Sequence, residues 1–337
     1  MADIIDVSDL VLVYADGTKA VDDISFSVSE GEFFGFLGPN GAGKSTTIKV
    51  LTTLLRKTSG TVKVAGYDME RNPQEIRKLV GVEAQESVLD PDLTGRENMT
   101  LQGNLQQMRG PELTERVDEL LKLVELEQVA DKMAGRYSGG MKKRLQLASS
   151  LVHKPRLLFL DEPTTGLDPQ SRVGIWKYLE KLNKLEGITI FLTTQYLEEA
   201  DKLCGRLAIV DFGKIVASGS PAELKREVGA DTINFSLEGG GQDGEAAKAK
   251  KILSSLEGVT EVFDSDGGLT AHAKDASRII AIVVRALDEG GIRLSSLNVS
   301  TPSLDDVFLQ HTGRRIRAEE LGRMPDRRGA FGMRRRI

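Results

Sequence analysis

The 337-residue sequence has a single cysteine, Cys204. One thiol excludes an internal disulfide framework and fits a reducing compartment, with Cys204 itself reading as a small buried side chain. Long apolar runs are also missing: none approaches the roughly 18 residues that suggest a transmembrane helix. No basic residue stands in the opening Met1-Ala2-Asp3-Ile4-Ile5-Asp6, so this start is not expected to act as a signal peptide. Positive charge is scarce over most of the chain. The net charge of −5 splits into +6 on residues 313–337, where nine arginines gather, and −11 on residues 1–312. An acidic body argues against bulk nucleic-acid binding. The arginine-rich end has no hydrophobic period and reads as a solvated, disordered tail. Its functional reading is docking on an anionic membrane surface. The remaining composition, 40% hydrophobic and 28% charged, is ordinary for a globular protein long enough for two domains.

The most informative stretch present is Gly38-Pro39-Asn40-Gly41-Ala42-Gly43-Lys44-Ser45-Thr46. It fits the phosphate-binding pattern G-x-x-x-x-G-K-[ST], follows an apolar strand-like run Phe33–Leu37, and opens a helical run at Thr47. Glycines let the backbone wrap closely around phosphate with its N–H groups turned inward. The helix start adds the positive end of its dipole. Lys44 suits the β- and γ-phosphates of a nucleotide, and the Ser45 hydroxyl suits Mg²⁺.

Around this loop the chain reads as strands and helices. Residues 4–13 and 24–28 are expected to pair, with Asp16-Gly17 as the turn signal. Tyr14, at the end of the first strand, is either a base-stacking aromatic or a half-buried strand tyrosine. Leu79–Val82 reads as a buried strand followed by Gln85, which either reaches Mg²⁺ and the attacking water or is a loop residue. Residues 92–155 are helical by pattern, with Val117, Leu120, Leu121, Leu123 and Val124 at helical spacing. There Ser138-Gly139-Gly140-Met141 is expected to open a helix with Ser138 as N-cap, a second anion-binding helix start. The following Lys142-Lys143-Arg144 reads mainly as a solvated helix face. Leu157–Glu162 is a buried strand ending in two carboxylates: Asp161 suits Mg²⁺, and Glu162, expected on the opposite side of the extended chain, suits the attacking water. Gly166-Leu167-Asp168 reads as a turn, Ile188–Thr194 as a buried strand ending at Gln195, and residues 207–217 as a hairpin turning at Phe212-Gly213. From about residue 231 the order of elements is β-α-β-β-α-β, the ferredoxin-like pattern, followed by a short helix capped by Ser303.

The combination of Gly38–Ser45, Gln85, Ser138-Gly139-Gly140, Asp161-Glu162, Gly166-Leu167-Asp168 and a residue at 195, in this order and spacing, resembles the ATP-binding subunits of ABC transporters over residues 4–225. A narrower resemblance runs to residue 313. Leu93–Asn98, Thr193–Asp201 and Ser303–Phe308 with Thr312-Gly313 are similar to drug-resistance ATPases of the daunorubicin-export type. Two positions depart from the broad family: Gln195 stands where a histidine is usual, and Met141 where the signature commonly ends in glutamine. A glutamine can hydrogen-bond a γ-phosphate but carries no charge at neutral pH. None of His153, His272 and His311 replaces the missing histidine in sequence. The narrower group shares the glutamine, which therefore reads as tolerated.

The resemblance implies an α/β fold: a RecA-like P-loop ABC ATPase core with an antiparallel β subdomain and an α-helical insertion at about 86–155, within residues 1–225. It also implies a small α+β ferredoxin-like domain at 226–312. ATP and Mg²⁺ are the implied cofactors. Tyr14, the loop from Gly38 to Thr46 (Pro39, Asn40, Gly41, Ala42, Gly43, Lys44 and Ser45 between them), Ser138, Gly139, Gly140 and Asp168 would hold nucleotide. Ser45, Gln85 and Asp161 would hold the metal, and Glu162, Gln85 and Gln195 would serve hydrolysis. With one P-loop and one signature, the implied assembly is a homodimer clamping two ATP, peripheral on the inner face of the cell membrane through an integral membrane permease. The competing class is a soluble ABC-type ATPase that remodels a nucleic-acid or ribosome complex. Such proteins usually carry two cassettes or a long coiled coil, which this chain does not. A third reading is a regulatory module that binds ATP without turning it over. Intact Asp161 and Glu162 argue against it, and Gln195 argues weakly for it.

Overall fold

A computed structural model describes residues 3–83, 89–229, 231–237, 244–265, 268–273 and 276–313. They divide into two units, one reaching Pro221 and the other running from Ala222 to Gly313. Gln85 and the arginine-rich tail lie outside the described residues.

The first unit holds two sheets. Strands β1 (Asp3–Val13) and β2 (Lys19–Ser29) pair antiparallel around the turn at Asp16-Gly17, and β4 (Ser59–Val64) and β5 (Tyr67–Asp68) complete the order β2-β1-β4-β5. The second sheet takes β3 (Phe33–Leu37), β6 (Val80–Glu83), β7 (Leu157–Asp161), β8 (Thr189–Thr194), β9 (Arg206–Asp211) and β10 (Lys214–Gly219), in the order β10-β9-β3-β8-β7-β6. All its neighbours are parallel except β10, which turns back from β9 at Phe212-Gly213. Strands β3, β7 and β8 are buried at every residue, as a parallel sheet covered on both faces requires. Phe26, Phe34, Phe36, Phe159 and Phe191 meet there with ring centroids 5.5–6.0 Å apart. Parallel strands end on one side, so the loops after β3, β7 and β8 collect at a common edge, where α/β sheets bind ligands.

Helix α1 (Lys44–Leu51) follows β3, and α2 (Pro73–Leu79) leads into β6. Three helices then intervene before β7: α3 (Gly95–Leu105), α4 (Gly110–Leu123) and α5 (Gly139–Ser150). Thr94 and Glu97 close a reciprocal capping box on α3, and Arg96 ties it to Asp118 and Asp131. Helix α4 buries Leu113, Val117, Leu120 and Leu121, one stripe of a 3.6-residue period. Helices α6 (Pro169–Glu186) and α7 (Leu197–Leu203) flank β8. Cys204, just past α7, is buried, and desolvation pushes its thiol pKa well up. Among the described residues no helix is long and apolar enough to cross a membrane.

Helix α8 (Pro221–Val228) leads into the second unit. There β11 (Asp231–Leu237), α9 (Glu245–Ser254), β12 (Val259–Ser265), β13 (Gly268–Ala273), α10 (Ala276–Glu289) and β14 (Leu294–Ser300) follow one another. Its antiparallel sheet has the order β12-β13-β11-β14, the arrangement expected for a ferredoxin-like fold. Ile233, Phe235 and Leu237 pack with Leu253, Val283 and Leu287 as its core. Helix α11 (Leu304–Thr312) is closed by a capping box between Ser303 and Asp306.

Candidate functional site

The loop between β3 and α1 is held by its backbone. Gly43 is the N-cap of α1 at φ +99°, and a side chain there would overlap the carbonyl oxygen of Ala20 on β2. Gly38 N–H donates to Thr194 O at 3.2 Å, fixing the loop to the end of β8. Lys44 is buried beneath it. Its Nζ donates to Gly38 O at 2.8 Å and Pro39 O at 2.9 Å, and lies 3.1 Å from Glu162 Oε1. Burial pushes the Lys44 pKa down, and the charge of Glu162, then of Asp161, opposes that shift.

The end of β7 supplies the acids. Asp161 Oδ1 accepts from Ser45 Oγ at 3.0 Å and from Thr193 Oγ1 at 2.6 Å. Strand alternation would turn Glu162 to the other side, and here the structure corrects the sequence reading. Glu162 adopts φ +51°, in the left-handed region, so the chain has left the strand and both carboxylates face the P-loop. Its N–H donates to Thr193 O and Oγ1, at 3.1 and 3.2 Å, and Thr165 Oγ1 donates to its Oε2 at 3.2 Å.

Beside these groups is a groove of about 650 Å³, lined by Tyr14, Asn40, Lys44, Ser45, Glu162 and Phe212 among others. Tyr14 is 38% exposed, and its hydroxyl shares a 3.0 Å hydrogen bond with Thr46 Oγ1. One wall is therefore aromatic and the floor is cationic and hydroxylated, which suits a base at one end and phosphates at the other. The Ser45 hydroxyl and Asp161 carboxylate are hard oxygens at adjacent positions. They fit Mg²⁺, which takes one or two protein oxygens and completes its shell with phosphate and water. Among the described residues no cluster of three or more His, Cys, Asp or Glu forms a metal cage. Gln195 stands half-buried directly after β8, at the edge shared with the P-loop and Asp161 by the register Leu37↔Thr194 and Asp161↔Thr193.

The Ser-Gly-Gly stretch lies elsewhere. Ser138 caps α5, its Oγ accepting from Met141 N at 3.2 Å. Ser138 and Gly140 line a second groove of about 500 Å³ with Arg144, Ser171, Lys177 and Tyr178. Asp168 does not line the P-loop groove: it is exposed and caps α6, accepting from Ser171 N at 3.0 Å and Ser171 Oγ at 2.6 Å. Within one chain the structure thus brings together Tyr14, the 38–46 loop, Asp161, Glu162 and Gln195, and leaves Ser138–Gly140 and Asp168 apart from them.

Three groups escaped the sequence reading. Thr193 orients Asp161 and the Glu162 backbone; in a strand that also carries Thr189 and Thr194 nothing local singles it out. Glu199 is fully buried and accepts from Thr164 Oγ1 at 2.9 Å and Trp176 Nε1 at 2.8 Å. Burial raises its pKa against the hydrogen bonds of Thr194, Trp176 and Thr164. Glu83, at the end of β6, is also buried and pairs with Lys143 of α5 at 2.5 Å. Desolvation pushes its pKa up to about 7, with Lys143 opposing. The Lys142-Lys143-Arg144 triplet is thus not mainly a solvated face. Lys143 is 13% exposed in its pair with Glu83, and Arg144 Nη1 donates to Val124 O at 3.0 Å.

A profile of the family described as ABC transporter matches residues 21–165. A profile described as the C-terminal domain of DrrA1-3-like ATP-binding proteins matches residues 219–312. The sequence is 43% identical, over 90% of this chain and 94% of the relative, to the daunorubicin resistance ATP-binding protein DrrA3 of Streptomyces coeruleorubidus. It is 37% identical, over 88% and 94%, to the linearmycin resistance ATP-binding protein LnrL of Bacillus subtilis. Among solved structures, the dimeric ATP-binding cassette MJ0796 in a post-hydrolysis state with ADP and phosphate superposes with a TM-score of 0.59. The identity is 28%, covering 64% of this chain and 98% of that one.

Proposed function

The chain belongs to the ATP-binding proteins of ABC transporters and is an ATPase, and from this we propose that it works as a homodimer powering export of a drug, lipid or other hydrophobic substrate. An integral membrane permease, a separate chain, would carry the substrate, holding this subunit to the inner face of the cell membrane. The observation carrying the proposal is the split between the two grooves. Lys44, Ser45, Asp161 and Glu162 converge on one, while Ser138 and Gly140 open onto another, so a nucleotide gripped by both sets must lie between two copies. Residues 1–225 form the ATPase domain in this reading and 226–312 an accessory domain. The acidic body and single cassette give a nucleic-acid or ribosome-remodelling role no support.

The geometry supports a division of roles among these residues. Lys44 turns from the Gly38 and Pro39 carbonyls to the β- and γ-phosphates of ATP. Glu162 accepts the proton of the attacking water as general base. Ser45 and Asp161, with Gln85, would hold Mg²⁺, which supplies charge neutralisation at the phosphate oxygens. Gln195 donates its amide N–H to the γ-phosphate. Ser138 Oγ and the Gly140 N–H of the second copy grip the same group, so ATP closes the dimer and ADP does not. Each charge-assisted contact contributes about 1.5–3 kcal/mol, enough for two or three to move an open–closed balance by orders of magnitude.

Two variants probe the edges of this site. Tyr14→Ala is expected to weaken ATP binding by about 5- to 150-fold, the loss of one stacked base. Tyr14→Phe, which deletes only the hydrogen bond to Thr46, is expected to stay within about threefold of wild type. Equal losses in equilibrium binding of a fluorescent ATP analogue would remove stacking as the role of Tyr14. Gln195→Ala is expected to slow phosphate release less than Glu162→Gln does; an equal or larger loss would make the glutamine central to the chemistry.

The transporter reading is tested by capturing the Glu162→Gln variant with MgATP from solubilised native membranes. Recovery of a multi-span membrane protein supports it. Recovery only of this chain, or of ribosomal or DNA-bound proteins, overturns it.

A further inference from the structure

We propose that the buried Glu83–Lys143 ion pair positions the Ser138-Gly139-Gly140 stretch for ATP hydrolysis by fixing the first half of α5 against β6. The inference rests on the reading that this stretch grips nucleotide. Three contacts run along the two elements. His153 Nε2 meets Val80 O at 2.9 Å just beyond α5. Gly81 packs on the C-terminal end of the helix so closely that a side chain there would overlap Ser150 O. Glu83 then meets Lys143 Nζ at 2.5 Å. The first two contacts hold the far end of α5. Lys143 stands five residues after Ser138, about 7.5 Å along the axis, so its pair is the anchor nearest the gripping residues. Arg144, rotated about 100° around the helix, donates instead to Val124 O at the end of α4. Two consecutive cations thus tie α5 to the strand on one side and to the helical layer on the other.

Stability alone does not account for a carboxylate at this position. Glu83 is 1% exposed, and Asp161 and Glu199 act on it as like charges. Among the described residues Lys143 is the group that compensates its charge. A buried ion pair of this kind gains little over an apolar pair of similar volume, because desolvation offsets the attraction. What it does provide is direction: an ammonium drawn to one carboxylate sets the rotation of its helix, which an apolar contact does not. Glu83 also lies beside Leu160 in the β6–β7 register, next to the acids of the P-loop groove. The pair therefore joins the strand edge that supports one half of the site to the helix that presents the other.

The test uses the full chain and separates positioning from folding. Glu83→Met with Lys143→Met should keep the melting temperature and hold ATP affinity within about threefold, yet lower kcat by about 10-fold or more with KM unchanged. The charge exchange Glu83→Lys with Lys143→Glu should recover at least about half of that loss on a logarithmic scale. A methionine pair turning over within about twofold of wild type, or an exchanged pair no faster than the methionine pair, would overturn the proposal. Failure of the wild-type chain itself to dimerise with ATP would instead overturn the reading on which it rests.

Discussion

Glu162→Gln is expected to lower ATP turnover by at least about 100-fold while leaving ATP affinity within about threefold, as loss of a general base predicts. The geometry explains why the two effects separate. Glu162 is held by Thr193 through its backbone and by Thr165 through its side chain, so a glutamine of the same shape keeps its place. It can still accept a hydrogen bond from Lys44 Nζ, which retains the Gly38 and Pro39 carbonyls at 2.8 and 2.9 Å. What disappears is the basic oxygen. A second consequence follows if hydrolysis opens the dimer: the variant should accumulate as an ATP-bound dimer, visible by size-exclusion chromatography with MgATP. Phosphate release at the wild-type rate would remove Glu162 from the chemistry.

Lys44→Ala is expected to raise the Kd for ATP by at least about 100-fold, or about 2.7 kcal/mol. Asp161 and Glu162 then face the incoming phosphates without the cation that now stands 3.1 Å from Glu162. Removing one partner of a buried pair also costs about 3–5 kcal/mol of stability, with Lys44 and Glu162 only 4% and 7% exposed. The two effects are separated by the double variant Lys44→Ala/Glu162→Gln. It removes the uncompensated charge, so its melting temperature should rise above that of Lys44→Ala while ATP affinity stays low. Calorimetric titration with ATP and a thermal melt of both proteins make the comparison. Wild-type affinity in Lys44→Ala would contradict the P-loop assignment.

The parts of the site that were legible in the sequence are those defined by a short stretch of backbone. Gly38–Ser45 needs its glycines for one loop conformation, and Ser138 needs only to precede a helix to cap it, so both could be read locally. The β-α-β-β-α-β order of the second unit was legible for the same reason, from turn signals and periodicity. Glu162 was misread because one left-handed residue cancels strand alternation, and nothing in Asp161-Glu162 announces that φ. Asp168 is expected to contact nucleotide, and within its own chain its carboxylate also caps α6, a partner that only the folded chain reveals. Lys143 was read as solvated because a charge on a helix has no sequence mark for its partner.

By itself, then, the sequence determined the inventory: a phosphate loop, two acids after a buried strand, a capped glycine-lined helix and a second α+β unit. These are set by backbone conformations and by periods that a few neighbouring residues impose. The tertiary structure alone decided which charges meet. Ser45 and Asp161 are 116 residues apart in sequence and 3.0 Å apart in space, and Glu83 finds Lys143 only because β6 runs along α5. Pairing of buried charges depends on the dielectric and distance that packing creates. Those properties belong to the folded arrangement of strands and helices, and no local stretch of chain carries them.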